Sequence, residues 1–347
     1  MKTRILVSAA AFLTCLGASA MARDLTVISW GGNFQDAQRT AYFAPFTAET
    51  GVKVVDQAWD GGVGTLRTRV QAGGDPGWDV VHAEIEELQV GCAEGLFEPI
   101  DWSKIAEKDK LIPAATSSKC GVGAITWSAG VAYDADRLHS APTSVADFFD
   151  LQKFPGKRAL RKGPKYALEL ALEGDGVPVD KVYDVLRTPE GVDRAFNKLK
   201  SIRSSLLFFE SGGQAIQLLA SGDASMVLAF NGRVTAADQT DHRNFKFIWP
   251  GSIYAVDSWV ILRNSPNKDA ALKFIDFASR AAQQKILPEH VAYGPTNKDA
   301  TAALDEKIAQ ELPTYPKNLE GALKIDAGFW TDNIEALTER FNSFAAQ

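Results

Sequence analysis

The stretch DLTVISWGGNFQDAQRTAYFAPFTAETGVKVVDQA, residues 24–58, decides the fold. DLTVISW is a short β-rich run, and a Gly pair then opens a segment with helical spacing of apolar residues that stops at Gly51. VKVVDQA follows as a second strand. Strand, helix and strand joined this tightly make a βαβ unit. GGVGTLRTRVQAGG continues as a loop and helix, WDVVHAE as a third strand and ELQVGCAEG as a helix. The fold class these signals imply is α/β, a mostly parallel sheet with helices on both faces.

Around KCGVGAITWSAGVAYD the texture turns extended, and a second alternating block begins. TSVADFFDLQKF, GPKYALELALEG, KVYDVLRTPEGVDRAFNKLKSI and SGGQAIQLLASG carry helical patterns, whereas SMVLAF and FKFIWP have strand character. SPNKDAALKFIDFASRAAQQKIL is a single amphipathic helix pattern beginning after Pro266. A chain of 347 residues with 46% hydrophobic content suits two domains of ordinary size, each with its own core.

The start of the chain has the parts of an export signal, residues 1–20: basic MKTR, apolar ILVSAAAFLTCLGA, and the small-residue site Ala18-Ser19-Ala20. Its apolar run is too short to span a bilayer. In an oxidising compartment, Cys92 and Cys120 are expected to pair, closing a loop that the chain-entropy view values at about 3 kcal/mol; two separate buried thiols are the alternative. A net charge of −6 argues against a nucleic-acid partner, which favours a basic stripe.

One residue stands out in IYAVDSWVIL, residues 253–262. The run reads as a buried strand, yet Asp257 places a carboxylate in its middle, and a buried charge needs a partner. Either a turn or cap role next to Ser258 or a cationic ligand accounts for it.

TVISWGG, WDVVHAE, GLFEPIDWSKI, GAITWSAGVAYD, SGDASMVLAFNGRV, YAVDSWVI with DAALKFIDFASRAAQQ, and AYGPTN occur in this order along the chain. Together they resemble the periplasmic solute-binding proteins of spermidine/putrescine-type ABC transporters, over essentially the whole mature chain. The resemblance implies a two-lobed periplasmic binding protein fold of type II, with hinge strands and the ligand held between the lobes. Residues 23–132 plus 258–300 would form one lobe, and 133–257 plus 301–347 the other. It also implies a periplasmic location, a monomer that docks on an inner-membrane ABC permease, and no cofactor or catalysis.

By the same resemblance, Trp30, Trp127, Phe230, Tyr254 and Tyr293 match or adjoin aromatic walls, and Asp257 matches the carboxylate that grips an ammonium. Aromatic faces attract a desolvated cation, although a ring alone is equally well explained as core; Trp30 and Tyr293, each beside Gly in a strand-end loop, are better placed for binding. The sequence departs from polyamine binders at ALRKGPKYALELAL, where Arg161, Lys162 and Lys165 stand in place of acids. Arg233, read as lying in a Gly turn after a strand, offers a fork for a carboxylate, with a surface position or a pairing with Asp257 as alternatives. Asp257 and Arg233 together describe a zwitterion, with an ω-amino acid such as γ-aminobutyrate favoured over an α-amino acid, and a polyamine as the main alternative.

Other classes have less support. The His residues at 82, 139, 242 and 290 accompany no GxSxG or HExxH signature. His82, Glu84 and Glu86 alternate at strand spacing and could present metal ligands, but the polarity of a helix start also explains the acids. Gly61, Gly62 and Gly64 before a helix could cradle a phosphorylated solute, although no Walker lysine follows.

Overall fold

A computed structural model describes residues 23–240 and 242–346; the export signal read at residues 1–20 lies outside them. The strands are β1 (Leu25–Ser29), β2 (Val54–Ala58), β3 (Val80–Ala83), β4 (Gly121–Asp134), β5 (Arg158–Arg161), β6 (Leu206–Phe209), β7 (Met226–Phe230), β8 (Phe245–Phe247), β9 (Ile253–Ile261), β10 (Gly294–Pro295) and β11 (Leu323–Lys324).

The opening βαβ unit forms as its sequence requires. Between β1 and β2, the helical segment buries Phe34, Ala37, Ala41, Tyr42 and Phe46, a stripe at three- and four-residue spacing. Gly51, at φ 73°, caps its end in the left-handed conformation that glycine adopts without steric cost. A π-helical turn, Arg39–Phe43, interrupts this segment just before Pro45, which has no amide hydrogen to continue the α ladder.

The strands hydrogen-bond in the order β2-β1-β3-β9-β4-β7-β5-β6, with β8 and β10 on β4 and β11 on β9. β1, β2 and β3 are parallel, as are β5, β6 and β7. The sheet is less uniformly parallel than the sequence suggests, because β9 and β4 join the two parallel sets by antiparallel pairing. Both are long. The first half of β4 lies against β9, and its second half pairs with β7 and β8, so one strand belongs to both halves of the molecule.

The expected helix after Pro266 is broken. It runs from Lys268 to Ser279, Arg280 is extended, and a second turn spans Ala281–Gln284. Glu107, distant in sequence, accepts the Ala281 amide hydrogen at 2.8 Å and so stabilises a fresh helix start. A 19-residue C-terminal helix, Ala327–Ala345, buries Phe329, Trp330, Leu337, Phe341 and Phe344. It reaches the N-terminal half through Thr331–Gln89 and Arg67–Glu335 contacts.

Cys92 and Cys120 form a disulfide with a Cα–Cα distance of 5.7 Å. It ties the helix Ile85–Ala93 to the residue preceding β4. Replacing both cysteines with alanine should lower unfolding free energy by about 3 kcal/mol in urea titration, the chain-entropy value for a loop of this size. Equal stability of the variant and the oxidised wild type would contradict that contribution.

Candidate functional site

The carboxyl ends of the parallel strands converge on one pocket, the position where open α/β sheets hold ligands. β1 delivers Trp30, β2 delivers Trp59 and Asp60, and β3 delivers Glu84; from the other parallel set, β5 ends in Arg161 and β7 in Phe230. Ser211 and Gly212 follow β6, and Arg233 follows β7. Ile125 and Trp127 from the middle of β4, Asp257 from the middle of β9, and Phe34 and Tyr293 complete the lining. The space between them is about 450 Å³ counting its open mouth, at the small end of ligand cavities.

Pairing between β4 and β9 fixes the acidic end. Ile125 stands opposite Asp257, which puts Trp127 on the diagonal, and the Trp127 indole donates to Asp257 Oδ1 at 2.5 Å. Asp257 Oδ2 lies 3.4 Å from His82 Nδ1, which also accepts the Trp30 indole hydrogen at 2.9 Å. Burial lowers the His82 pKa to about 3, so the imidazole is neutral and supplies Asp257 with no charge. Burial, and then the nearby Glu84 carboxylate, push the Asp257 pKa well above the usual carboxylate range. Tyr166, Trp127 and Phe230 meet edge to face, with ring centroids 5.3–5.9 Å apart, and make the wall beside it.

Arg233 lies in the first turn of a helix, Asn231–Thr240, and not in a Gly turn as its sequence suggests. β7 passes directly into this helix because Asn231 is anchored at both ends of its amide: it accepts from the Ser128 amide at 3.0 Å and donates to the Ala292 carbonyl at 2.6 Å. The buried guanidinium crosses the cleft and donates to the carbonyls of Trp30, at 2.8 Å, and Gly31, at 3.3 Å. Asn33 and the Tyr293 hydroxyl also engage it. Gly212 makes room for this side chain, since a Cβ there would sit 2.6 Å from Arg233 Nε. Burial lowers the Arg233 pKa from its ordinary value, with Tyr293 acting in the opposite direction.

A separate ionic cluster closes the remaining side. Arg161 Nη1 donates to Glu84 Oε1 at 3.1 Å, Lys165 bonds Glu84 and Glu86, and the Tyr166 hydroxyl donates to Glu84 Oε2 at 2.7 Å. Burial disfavours the Glu84 carboxylate, but Lys165 and Arg161 more than offset it and hold its pKa at about 2. Tyr166 adopts φ 70°, a strained backbone for a bulky residue, at the start of the helix Ala167–Gly174.

Of the residues singled out from sequence, Trp30, Trp127, Phe230, Arg233, Asp257 and Tyr293 all line the pocket. Tyr254 does not. Three positions from Asp257 on the same strand, it points to the opposite face of the sheet. Phe34, Trp59, Asp60, Ile125, Ser211 and Gly212 were missed; Trp59, Asp60 and Ser211 each follow a strand, a positional signal that could have found them. The alternation of His82, Glu84 and Glu86 does not gather a metal site, because Lys165 engages both glutamates while His82 packs behind Trp30. In the Gly61–Gly62 loop, the Gly62 amide is already bonded to the Glu87 carboxylate at 2.6 Å, which disfavours an incoming phosphate.

Comparison with known proteins agrees with this architecture. The chain is 45% identical to the γ-aminobutyric acid-binding protein of Pseudomonas aeruginosa, over 95% of this chain and 93% of that one. It is 24% identical to the spermidine/putrescine-binding periplasmic protein of Escherichia coli, over 96% and 95%. The solved structure of a γ-aminobutyrate receptor superposes with a TM-score of 0.81 at 36% identity, covering 93% of this chain and 98% of that one. The fold is accordingly the two-lobed, type II arrangement of periplasmic binding proteins. The sequence profile described as "Bacterial extracellular solute-binding protein" matches residues 41–317, and the chain belongs to that family.

Proposed function

We propose that the protein is the receptor of an ABC importer for a zwitterionic ω-amino acid, with γ-aminobutyrate the favoured ligand. The observation that carries this reading is a pair of buried ionisable side chains, Asp257 and Arg233, with no opposite charge from the protein to match either. Among the described residues, no cation forms an ion pair with Asp257, its nearest basic group being the neutral His82, and no carboxylate forms one with Arg233. Their partners are an indole, an imidazole, a phenol, an amide and backbone carbonyls. Burying ions with only neutral partners is unfavourable, and a ligand with an ammonium at one end and a carboxylate at the other would complete both.

The names borne by the Pseudomonas relative and by the solved receptor support the same chemistry. Trp30, Trp127, Phe230 and Tyr293 would wall the methylene chain between the two charged ends. The lobes would divide as residues 23–132 plus 258–300 and 133–257 plus 301–347, with β4 and β9 crossing between them. Ligand touching both lobes would favour the closed form by its differential affinity, and the closed form would dock on the permease. We place the receptor in the periplasm as a monomer.

Titration of ligand-stripped protein by calorimetry tests the reading. γ-Aminobutyrate should bind, and Arg233→Gln and Asp257→Asn should each weaken it by about 2 kcal/mol or more, ~30-fold, while binding of putrescine stays weak. Binding of putrescine alone, insensitive to Arg233→Gln, would overturn the assignment.

The protonation of Asp257 makes a second prediction. Its pKa is raised by burial and Glu84 and opposed by the Trp127 hydrogen bond, Lys165 and Arg161; an arriving ammonium favours the ionised form. Ligand binding should therefore release a proton at pH values below the raised pKa, and affinity should increase as pH rises towards it. Calorimetry in buffers of different ionisation enthalpy measures that release, and Asp257→Asn should abolish it. Release that persists in the variant would assign the proton to another group.

A further inference from the structure

The pocket presents two buried carboxylates, Asp257 and Glu84, and a slot with two free carboxylates is suited to a diamine. The two differ in what surrounds them. Asp257 accepts one hydrogen bond, from the neutral Trp127 indole, whereas each oxygen of Glu84 is held by at least one donor: Arg161 on Oε1, and Lys165 and the Tyr166 hydroxyl on Oε2. An ammonium could reach Glu84 only by displacing a cation already bound there.

We propose that Arg161 and Lys165 are specificity-determining residues that exclude diamines by occupying Glu84, leaving Asp257 as the one buried carboxylate in the slot open to an ammonium, with Asp60 at the exposed edge. This rests on the ω-amino-acid reading for the ligand that is accepted, but the exclusion is a separate property. It follows from charge as well as geometry. Asp60, Glu84 and Asp257 line the pocket against Arg161 and Arg233, and Lys165 sits directly behind Glu84. A zwitterion adds no net charge to this set, while the second ammonium of a dication finds Glu84 already held by Arg161 and Lys165. The cluster also spans the cleft: Glu84 follows β3, Arg161 ends β5, and Arg161 donates a second hydrogen bond to the Asp60 carbonyl at 3.0 Å. The Glu84 backbone amide donates to Glu87 Oε2 at 2.9 Å at the start of the helix Ile85–Ala93, which fixes the backbone that carries the Glu84 side chain.

The test compares putrescine binding to wild type, to Arg161→Met/Lys165→Met, and to that double variant carrying Glu84→Gln, each checked for folding by circular dichroism. The double variant should bind putrescine at least ~10-fold more tightly than wild type, through the freed carboxylate, and Glu84→Gln should return affinity to the wild-type level. An unchanged putrescine affinity in the folded double variant overturns the proposal. So does a gain that survives Glu84→Gln, since the added affinity would then come from net charge and not from that carboxylate. If the double variant does not fold, Lys165→Met alone is judged by the same comparison. γ-Aminobutyrate binding by wild type is read in parallel, so failure of the ligand assignment and failure of the exclusion are seen in different arms.

Discussion

An ionised carboxylate or guanidinium buried between two halves of a protein loses its hydration, and only an opposite charge or a full set of hydrogen bonds restores the loss. The cleft between the two lobes meets this constraint in two ways. On one side Glu84 meets Arg161 and Lys165, charges supplied from the two different parallel strand sets, and each carries an ion-pair partner. On the other, Asp257 and Arg233 are held by neutral groups and left for something else to match. The same physics thus makes one part of the cleft a contact between lobes and the other a receptor.

The sheet is what allows both arrangements to coexist. β4 and β9 lie side by side through the centre, and the carboxyl ends of the flanking parallel strands face one another across the pocket. Asp257 and Trp127 come from the middle of these two central strands, so the buried carboxylate is rigidly placed. Arg233 and the Trp30–Gly31 loop come from opposite sides and meet across the cleft. A group that binds the ligand carboxylate would therefore also report whether the cleft is closed.

Local pattern made much of this legible. The βαβ unit at residues 24–58, the switch to extended chain at β4 and the second alternating block are all written in apolar periodicity and glycine placement. The resemblance to a binding-protein family pointed to Trp30, Trp127, Phe230, Asp257 and Tyr293, all in the pocket, and to Tyr254, which lies on the other face; Arg233 came from a departure from that family's pattern. What stayed hidden depends on partners far along the chain. The break at Arg280 is set by Glu107, and the Glu84 cluster joins residues 77 and 81 positions apart. In sequence, Glu84 looked like the acidic start of a helix, and Arg161 and Lys165 looked like a basic stretch; each was noticed and their pairing was not. The direction of β4 and β9 was likewise invisible, because an extended, largely buried run does not announce which neighbours it will take.

The central claim is that one zwitterion completes Asp257 and Arg233 at once. The most direct measurement is a crystal structure of the protein with γ-aminobutyrate. The account predicts the ligand ammonium within about 3 Å of an Asp257 oxygen and its carboxylate hydrogen-bonded to the Arg233 guanidinium, with the methylene chain between the aromatic walls. A ligand whose carboxylate lies away from Arg233, or whose ammonium sits on Glu84 in place of Lys165, would contradict it.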